Sequence, residues 1–348
     1  MMHENIILAM FAGLVFLTGS AVFLFFVKFR QHRRTSSRMV RMIIGNVLIL
    51  ALLLSSSLIG AECYFRFYYD GSDSFGVSRI SRRWVDRHIV LNQQEFRDDQ
   101  DYQLRRSPDK RRITFLGDSF TVAQGVNDVR NRFANIIREK RPDWEVHTLA
   151  VLGWDTPHQL EKIRQIRGIY EFDQVVLVYC LNDIVPYAPS ATRRKWQRMR
   201  EDAENTNYFT EHSYFLNLLH ARRVAALNSD IGNYWQSTSQ LFSGESWKQH
   251  QTALHQLKNE IEQAGGRFHV VTFPLLQSLG LDDEFRDCHG QLKVFWSSLG
   301  VPHLDLTSTL EGTPVVSLMV SRSDAHPNEL AHSMAAEAIL RFLDEEFQ

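Results

Sequence analysis

Two long uncharged stretches near the N-terminus constrain this chain more than any other feature of its sequence. Residues 6–27 and 42–61 contain no charged side chain, and each approaches the ~20 apolar residues that a helix needs to cross a bilayer. Both are apolar on all faces, which disfavours a buried hairpin of a soluble fold. A cleaved signal peptide is the alternative for the first stretch, but its start has no positive residue and the apolar run is long. We therefore predict two transmembrane helices.

The segment 28–41 between the two stretches predicts the orientation of these helices. It holds six basic residues and no acidic one: Lys28, Arg30, Arg33, Arg34, Arg38 and Arg41. The positive-inside rule places such a loop in the cytoplasm. Aromatic residues cluster at 64–69, as is typical of a membrane–water interface. Residues 1–61 are thus predicted to anchor the chain in the cell membrane, with everything after about residue 70 on the periplasmic or extracytoplasmic side.

Composition argues against several other classes of protein. The formal net charge at pH 7 is −1, so nucleic acid is not expected as the main partner. The three cysteines, Cys63, Cys180 and Cys288, make neither a disulfide framework nor a paired zinc motif. No other metal-site spacing and no nucleotide-binding glycine loop is recognisable. We therefore predict no cofactor and no metal.

The sequence after residue 61 divides into a connector and an α/β domain. Residues 62–110 are polar and highly charged, which predicts a juxtamembrane connector with little core of its own. From 111 to 348, short apolar runs alternate with amphipathic patterns. Strands are predicted over 113–116, 146–151, 175–179, 268–273 and 302–306, and helices over 246–264, 282–298 and 327–346. This alternation predicts a mostly parallel sheet covered on both faces by helices.

Residues 184–245 interrupt the alternation with clusters of basic and aromatic side chains. The stretch is too long for an ordinary connection. Two interpretations stay open: a solvated structural insertion, or a lid or substrate-binding wall beside the third strand. Its composition would suit either a lipid surface or an anionic glycan.

The first predicted strand ends in Gly117-Asp118-Ser119. A serine before a helix is often only an N-cap. In a parallel sheet, however, the carboxyl ends of the strands line the ligand crevice. A serine there can act as a nucleophile, and the free N–H groups of the following helix can stabilise an oxyanion.

The second and third strands are followed by Gly153 and by Asn182-Asp183. Glycine and Asn-Asp are also ordinary turn residues. In a catalytic interpretation, the bare backbone of Gly153 lets a substrate approach its N–H, and the Asn182 amide donates to developing negative charge. Cys180 is predicted to be a small buried residue rather than a nucleophile.

Near the C-terminus, Asp324 and His326 precede Pro327. They could simply begin the last helix, which we predict to open at Pro327, with His326 in the loop before it. In a catalytic interpretation, His326 removes the Ser119 proton, and Asp324 orients and stabilises the imidazolium.

Taken together, these elements resemble the SGNH (GDSL-like) hydrolase family over about residues 111–345. Four blocks occur in the family's order: Gly117-Asp118-Ser119, Gly153, Asn182-Asp183, and Asp324 with His326-Pro327. The resemblance implies a flavodoxin-like three-layer α/β/α fold. It also implies an oxyanion hole of the Ser119 N–H, the Gly153 N–H and the Asn182 side chain, with Asp118 bracing the nucleophile loop. The family usually places its acid three residues before the histidine, where this chain has Ser323. Asp324 is therefore the predicted acid, and a Ser119–His326 dyad with a backbone carbonyl is the alternative.

The predicted function is hydrolysis of acyl esters, acetyl esters foremost, on an envelope or extracellular polysaccharide. The same residues would serve an O-acetyltransferase that excludes water and accepts a sugar, or a lipase or thioesterase near the membrane. A non-enzymatic, membrane-tethered component of a polysaccharide-export assembly is the alternative of another class. The presence of Ser119, Asn182 and His326 speaks against it.

Overall fold

The computed structural model describes residues 2–31, 38–227, 234–279 and 283–347. Within them the chain divides into two compact units. The helical unit contains the described residues up to Asp70 together with Val77–Ile80 and Glu201–Leu227. The sheet unit contains Gly71–Gly76, Ser81–Arg200 and the described residues from 234 onward.

Helices and strands follow one another along the described chain, and short 3₁₀ or π turns lie between some of them. The helices are α1 (Met2–Gln31), α2 (Arg38–Cys63), α3 (Arg79–His88), α4 (Ser119–Val122), α5 (Phe133–Lys140), α6 (Thr156–Ile166), α7 (Ser190–Glu204), α8 (Tyr208–His212), α9 (Tyr214–Leu227), α10 (Tyr234–Ser239), α11 (Gly244–Gln263), α12 (Asp283–Ser298), α13 (Thr307–Leu310), α14 (Val315–Leu318) and α15 (Glu329–Glu346). The strands are β1 (Arg111–Gly117), β2 (Trp144–Ala150), β3 (Gln174–Cys180), β4 (Arg267–Phe273), β5 (His303–Asp305), β6 (Met319–Ser321) and β7 (Asp324–Pro327).

The helical unit begins with two helices that are long and apolar enough to cross a membrane, His3–Lys28 and Arg38–Tyr68. The stretches predicted as spans, 6–27 and 42–61, lie within them. The predicted basic loop 28–41 includes residues 32–37, which lie outside the described residues.

The helical unit also contains part of the predicted insertion 184–245. Glu62, at the end of α2, is fully buried, and its carboxylate accepts hydrogen bonds from Ser213 Oγ at 2.6 Å and Phe215 N at 3.0 Å. A buried carboxylate needs such donors, and the free N–H groups at the start of α9 supply them. Residues 201–227 therefore group with the apolar helices, a long-range pairing that the sequence did not indicate. Residues 228–233 of the insertion lie outside the described residues.

The sheet unit is built on five parallel strands in the order β2-β1-β3-β4-β5. This is the flavodoxin-like order, and it confirms the predicted α/β fold with all five predicted strands. Strands β1 to β4 are almost continuously buried, as expected for a parallel sheet covered on both sides, and the edge strand β5 is half-buried. Phe115, Val176 and Val270 at its centre are completely buried.

The order of the strands places helices on both faces of the sheet. The chain moves from β1 to its neighbour β2 through α5, and then crosses back to β3 through α6. Because such crossovers are right-handed, the two helices lie on opposite faces. Helix α15 packs against α5, and α11 packs against α6. The result is the three-layer α/β/α arrangement predicted from the sequence.

Two stretches differ from what the sequence suggested. In the predicted connector 62–110, Phe96 and Tyr102 are buried within the main core of the sheet unit, although the surrounding sequence is charged. The last helix begins at Glu329, because Pro327 pairs with Met319 in the β6–β7 hairpin and Asn328 is the N-cap. The Asn328 side chain accepts from Leu330 N and Ala331 N, both at 3.1 Å.

Candidate active site

The loop between β1 and α4 places Ser119 at the carboxyl edge of the sheet. β1 lies between β2 and β3, where the strand order reverses and a crevice opens. Asp118 is the N-cap of α4, and its Oδ1 accepts from Phe120 N at 2.9 Å. This hydrogen bond is a direct contact through which Asp118 can brace the loop, as predicted from the resemblance.

The turn before Ser119 requires a glycine. A Cβ atom added at Gly117 would lie 2.8 Å from Thr121 Cβ and 3.0 Å from Val178 O. Neither the neighbouring strand nor the first turn of α4 leaves room for it. Gly117 therefore permits the abrupt change from strand to helix that presents the serine.

The structure brings Ser119, His326 and Asp324 together in one chain of hydrogen bonds. His326 Nε2 lies 2.8 Å from Ser119 Oγ, and His326 Nδ1 lies 2.5 Å from Asp324 Oδ1. Asp324 is completely buried, whereas Ser119 and His326 retain 8% and 6% exposure. The acid is thus shielded from water, while the serine and the imidazole keep limited access to a substrate.

The two-residue spacing of Asp324 and His326 follows from their secondary structure. Both lie on β7, rather than in the loop predicted from the sequence. Alternate side chains of a strand point to the same face, so the carboxylate and the imidazole meet at this spacing. Ser323, which holds the family's usual position for the acid, is exposed and contacts Ser321 Oγ.

Charges around the hydrogen-bonded chain favour an ionised acid and a basic histidine. Burial alone would raise the pKa of Asp324, but the charge and hydrogen bond of His326 and the Ser72 hydroxyl hold it below its usual value. Burial lowers the pKa of His326, yet the charge and hydrogen bond of Asp324, with weaker contributions from Asp118 and Asp73, hold it above its usual value.

These charges also determine the tautomer of His326. An ionised carboxylate can only accept hydrogen bonds, so Nδ1 carries the proton that faces Asp324. In the neutral ring Nε2 is then free to accept the hydroxyl proton of Ser119. This is the arrangement that a general base requires.

Two further carboxyl groups, those of Asp118 and Asp183, are completely buried. Burial raises the pKa of Asp118, and burial together with the like charge of Asp118 raises that of Asp183 well above its usual value. Asp183 accepts from Cys180 N at 3.1 Å and from Gln159 Nε2 at 3.3 Å. Asp183 therefore fixes the turn after β3 from which Asn182 projects.

The two other residues predicted for an oxyanion hole follow β2 and β3. Gly153 is exposed, has a φ of +76°, and would have open space around an added Cβ atom. Asn182 is the second residue of the 3₁₀ turn Leu181–Tyr187 after β3, and its side chain is among the groups that lower the pKa of Asp118. Asn182 Oδ1 has no hydrogen-bond partner among the described residues. Both positions belong to the carboxyl edge of the sheet, as Ser119 does.

Arg97 supports the nucleophile loop in a way that the sequence did not indicate. Its guanidinium is buried and donates to Val122 O at 3.0 Å, Ala123 O at 2.8 Å and Val126 O at 2.7 Å. Val122 O and Ala123 O lie at the end of α4, where the last carbonyls of a helix lack helical partners, and Val126 O lies in the turn that follows. Burial and the charge of Arg132 lower the pKa of Arg97 to about 9. Nothing in the charged sequence around Arg97 distinguishes it from exposed charged residues of the same stretch, such as Asp99.

The cysteines and the potential metal ligands are predicted to have no catalytic or metal-binding role. All three cysteines are free thiols, and burial raises the pKa of Cys180 well above its usual value. A neutral buried thiol is a poor nucleophile. Among the described residues, no cluster of three or more His, Cys, Asp or Glu side chains is arranged to hold a metal ion.

Comparisons with known proteins give distant structural similarities only. No family model and no curated protein matches this sequence. Solved structures with a similar course of the chain include a lipolytic protein of the G-D-S-L family from Veillonella parvula, with 16% identity, a TM-score of 0.39, and coverage of 66% of this chain and 96% of that one.

Two further similar structures are esterases by name. The psychrotrophic esterase EstA from a Pseudoalteromonas species has 11% identity, a TM-score of 0.43, and coverage of 68% of this chain and 99% of that one. An acetylxylan esterase from Geobacillus stearothermophilus has 11% identity, a TM-score of 0.42, and coverage of 67% and 93%. These values describe a distant likeness in the course of the chain.

Proposed function

We propose that this protein is a serine hydrolase of the SGNH type that cleaves acyl esters. The observation that carries the proposal is the continuous chain from Ser119 Oγ through the His326 imidazole to the buried Asp324 carboxylate, with contacts of 2.8 Å and 2.5 Å. A serine hydroxyl is scarcely ionised at neutral pH and needs such a base. These three hydrogen-bonded residues lie at the edge of the sheet where the strand order reverses, which supports the same conclusion.

The proposed reaction has two acyl-transfer steps. Ser119 Oγ attacks the ester carbonyl while His326 Nε2 takes its proton, and the Ser119 N–H, the Gly153 N–H and the Asn182 amide stabilise the oxyanion. The tetrahedral intermediate expels the alcohol, which receives the proton from His326. A water molecule then attacks the acyl-enzyme, again with His326 as the base, and releases the acid and free Ser119.

The substrate that we propose is an acetyl ester on an envelope or extracellular polysaccharide. The open surroundings of Gly153 would admit a bulky carbohydrate beside a small acyl group. An O-acetyltransferase would use the same residues, and it differs in passing the acyl group to a sugar hydroxyl instead of water. Acetylated product on an added oligosaccharide, in place of free acetate, would favour the transferase. Activity on long-chain esters or thioesters alone would favour a lipase or thioesterase.

We further propose that α1 and α2 anchor the protein in the membrane with the sheet unit outside the cytoplasm. The basic residues of 28–41 support this orientation, and so do the exposed rings of Tyr64, Phe67 and Tyr68 at the end of the second apolar helix. In intact cells, a membrane-impermeant maleimide should label Asp109→Cys and should label Ser36→Cys only after permeabilisation. The reverse pattern would contradict the orientation.

The catalytic proposal is tested on the full chain in detergent with p-nitrophenyl acetate. Ser119→Ala should lower kcat on the order of 10⁶-fold, as loss of the nucleophile does in serine hydrolases. Ser278→Ala is the matched control, because this buried hydroxyl donates only to Leu275 O within its own turn. Equal turnover by the wild type and Ser119→Ala would contradict the proposed mechanism. A folded wild type without any turnover would favour the non-enzymatic assembly component.

A further inference from the structure

A short segment far from the catalytic residues in sequence contacts the catalytic acid. Residues Gly71–Gly76, here called the strap, belong to the sheet unit. In the sequence they come immediately after Asp70, which belongs to the helical unit. Ser72 is 5% exposed, and its hydroxyl donates a hydrogen bond to Asp324 Oδ2. The other oxygen, Oδ1, accepts from His326 Nδ1 and His326 N. The two oxygens of the acid thus have separate sets of donors.

Ser74 holds the backbone on both sides of Asp324. Ser74 N donates to Ser323 O at 3.1 Å. Ser74 Oγ accepts from Ala325 N at 2.9 Å. The strap therefore runs beside β7 and fixes the residue before the acid as well as the residue after it. The Asp324 side chain has little freedom to turn once these bonds are made.

The strap is also attached to the nucleophile side of the site. Gln124 Nε2, just beyond α4, donates to Asp73 O at 2.9 Å. Gly125 has a φ of +87°, and an added Cβ atom would lie 2.7 Å from Val320 Cγ1 and 2.9 Å from Ser72 Oγ. The chain at Gly125 is therefore packed closely between β6 and the strap. One segment connects the loop that carries the serine with the hairpin that carries its base.

We propose that Ser72 and Ser74 are positioning residues of the catalytic site, and that the strap sets the orientation of the Asp324 carboxylate toward His326. This inference rests on the proposed function. The physical reason is that a completely buried carboxylate oxygen without a donor is costly, and the carboxylate would turn to satisfy it. By occupying Oδ2, Ser72 leaves Oδ1 for the imidazole. Ser74 holds the β7 backbone in a position from which the two Asp324 oxygens can reach these separate donors.

The test is a double-mutant cycle on the full chain with p-nitrophenyl acetate. Ser72→Ala should lower kcat on the order of 10- to 100-fold, as expected for a lost hydrogen bond to a charged group, while KM stays within about twofold because no substrate contact is lost. In the Asp324→Asn background, the same substitution should lower kcat less than about twofold, because the effects of substituting two residues that act through one another are not additive. Ser278→Ala again reports the effect of removing a buried hydroxyl near β7 that donates to Leu275 O and not to Asp324.

Two results would overturn the inference. One is a Ser72→Ala variant with the kcat of the wild type. The other is an equal loss in both backgrounds, which would show that Ser72 supports the fold rather than the acid. Ser74→Ala should give a smaller loss than Ser72→Ala, since its backbone N–H still holds Ser323 O.

A spectroscopic measurement separates failure of this inference from failure of the proposed function. In ¹⁵N-histidine-labelled protein, the His326 Nδ1–H proton should resonate far downfield, and His326→Gln identifies its signal. Ser72→Ala should move that signal upfield as the carboxylate turns away. An unchanged signal would contradict the role of the strap whether or not the protein turns over esters, whereas absent turnover with a shifted signal would contradict only the proposed function.

Discussion

The loop after β1 and the β6–β7 hairpin each carry a completely buried carboxyl group of the candidate active site, and the pKa values of the two groups are shifted in opposite directions. Burial raises the pKa of Asp118, whereas the contacts of Asp324 hold its pKa below the usual value. Asp118 accepts Phe120 N through Oδ1, and its Oδ2 has no geometric hydrogen-bond partner among the described residues; the charge of His326 and the Asn182 side chain lower its pKa only in part against burial. Asp324 has donors on both oxygens and a titratable imidazole beside it.

This difference shows that burial alone does not determine the charge of a carboxyl group. The charge of a neighbouring imidazole and the hydrogen-bond donors around each oxygen together determine whether burial raises or lowers the pKa of the carboxyl group. Asp118 is suited to hold a backbone turn, a role that needs an acceptor but no charge. Asp324 is suited to stabilise the imidazolium that forms when His326 takes a proton, a role that does need the charge.

Among the substitutions that probe this comparison, the largest expected effect separates the two carboxyl groups directly. Asp324→Asn should lower kcat by about 10³- to 10⁴-fold, because an amide cannot hold the required tautomer and charge. Asp118→Asn should stay within about tenfold of the wild type, because Asn caps a helix about as well as Asp. Steady-state kinetics of the two variants on the same ester would measure both. Equal losses would contradict the division of roles.

A somewhat smaller effect is expected at the oxyanion site. Asn182→Ala should lower kcat on the order of 10²- to 10³-fold with little change in KM, as loss of one oxyanion donor does. Asn207→Ala is the control, because Asn207 caps α8 in the helical unit, outside the sheet unit. An unaltered kcat in Asn182→Ala would exclude its amide as a donor to the transition state.

The smallest expected effect is a shift in pH dependence. The proposed mechanism needs the base form of His326, so kcat/KM should fall as pH drops through its pKa, which lies above the usual value of about 6.5. In Asp324→Asn the opposing influence of burial dominates, and the acid limb should move to lower pH by about one unit, tenfold in proton concentration. The residual activity of the variant from pH 4 to 9 tests this. If the acid limb of the kcat/KM profile lies at the same pH in the variant as in the wild type, Asp324 does not determine the pKa of His326.

The sequence predicts the nucleophile half of the site better than the base half. Ser119 and Asp118 follow a buried apolar strand, so the strand pattern alone places them at the edge of a parallel sheet. The sequence also indicates Asp324 and His326 as candidate catalytic residues. It does not indicate the hairpin that holds them, because β6 and β7 are too short to show a clear alternation of apolar and polar residues. The spacing that departs from the family pattern is explained once β7 is known to be a strand.

The contacts of the strap and of Arg97 could not be predicted from the sequence. Ser72 and Asp324 are 252 positions apart, and no local pattern links them. Residues 62–110 carry so many charges that they suggest a solvated connector, yet Phe96 and Arg97 are buried there. In the same way, the pairing of Glu62 with the start of α9 depends on a contact across about 150 residues. Such contacts follow from the tertiary fold and not from periodicity.

The most direct measurement of the central claim is covalent labelling of the full chain with a fluorophosphonate probe, with the adduct located by peptide mass spectrometry. The hydrogen-bonded chain from Ser119 to Asp324 predicts one adduct, on Ser119, whose rate of formation falls sharply in Asp324→Asn and disappears in Ser119→Ala. A folded wild-type protein that forms no adduct, or forms it on another residue, would contradict the assignment of Ser119 as the activated nucleophile.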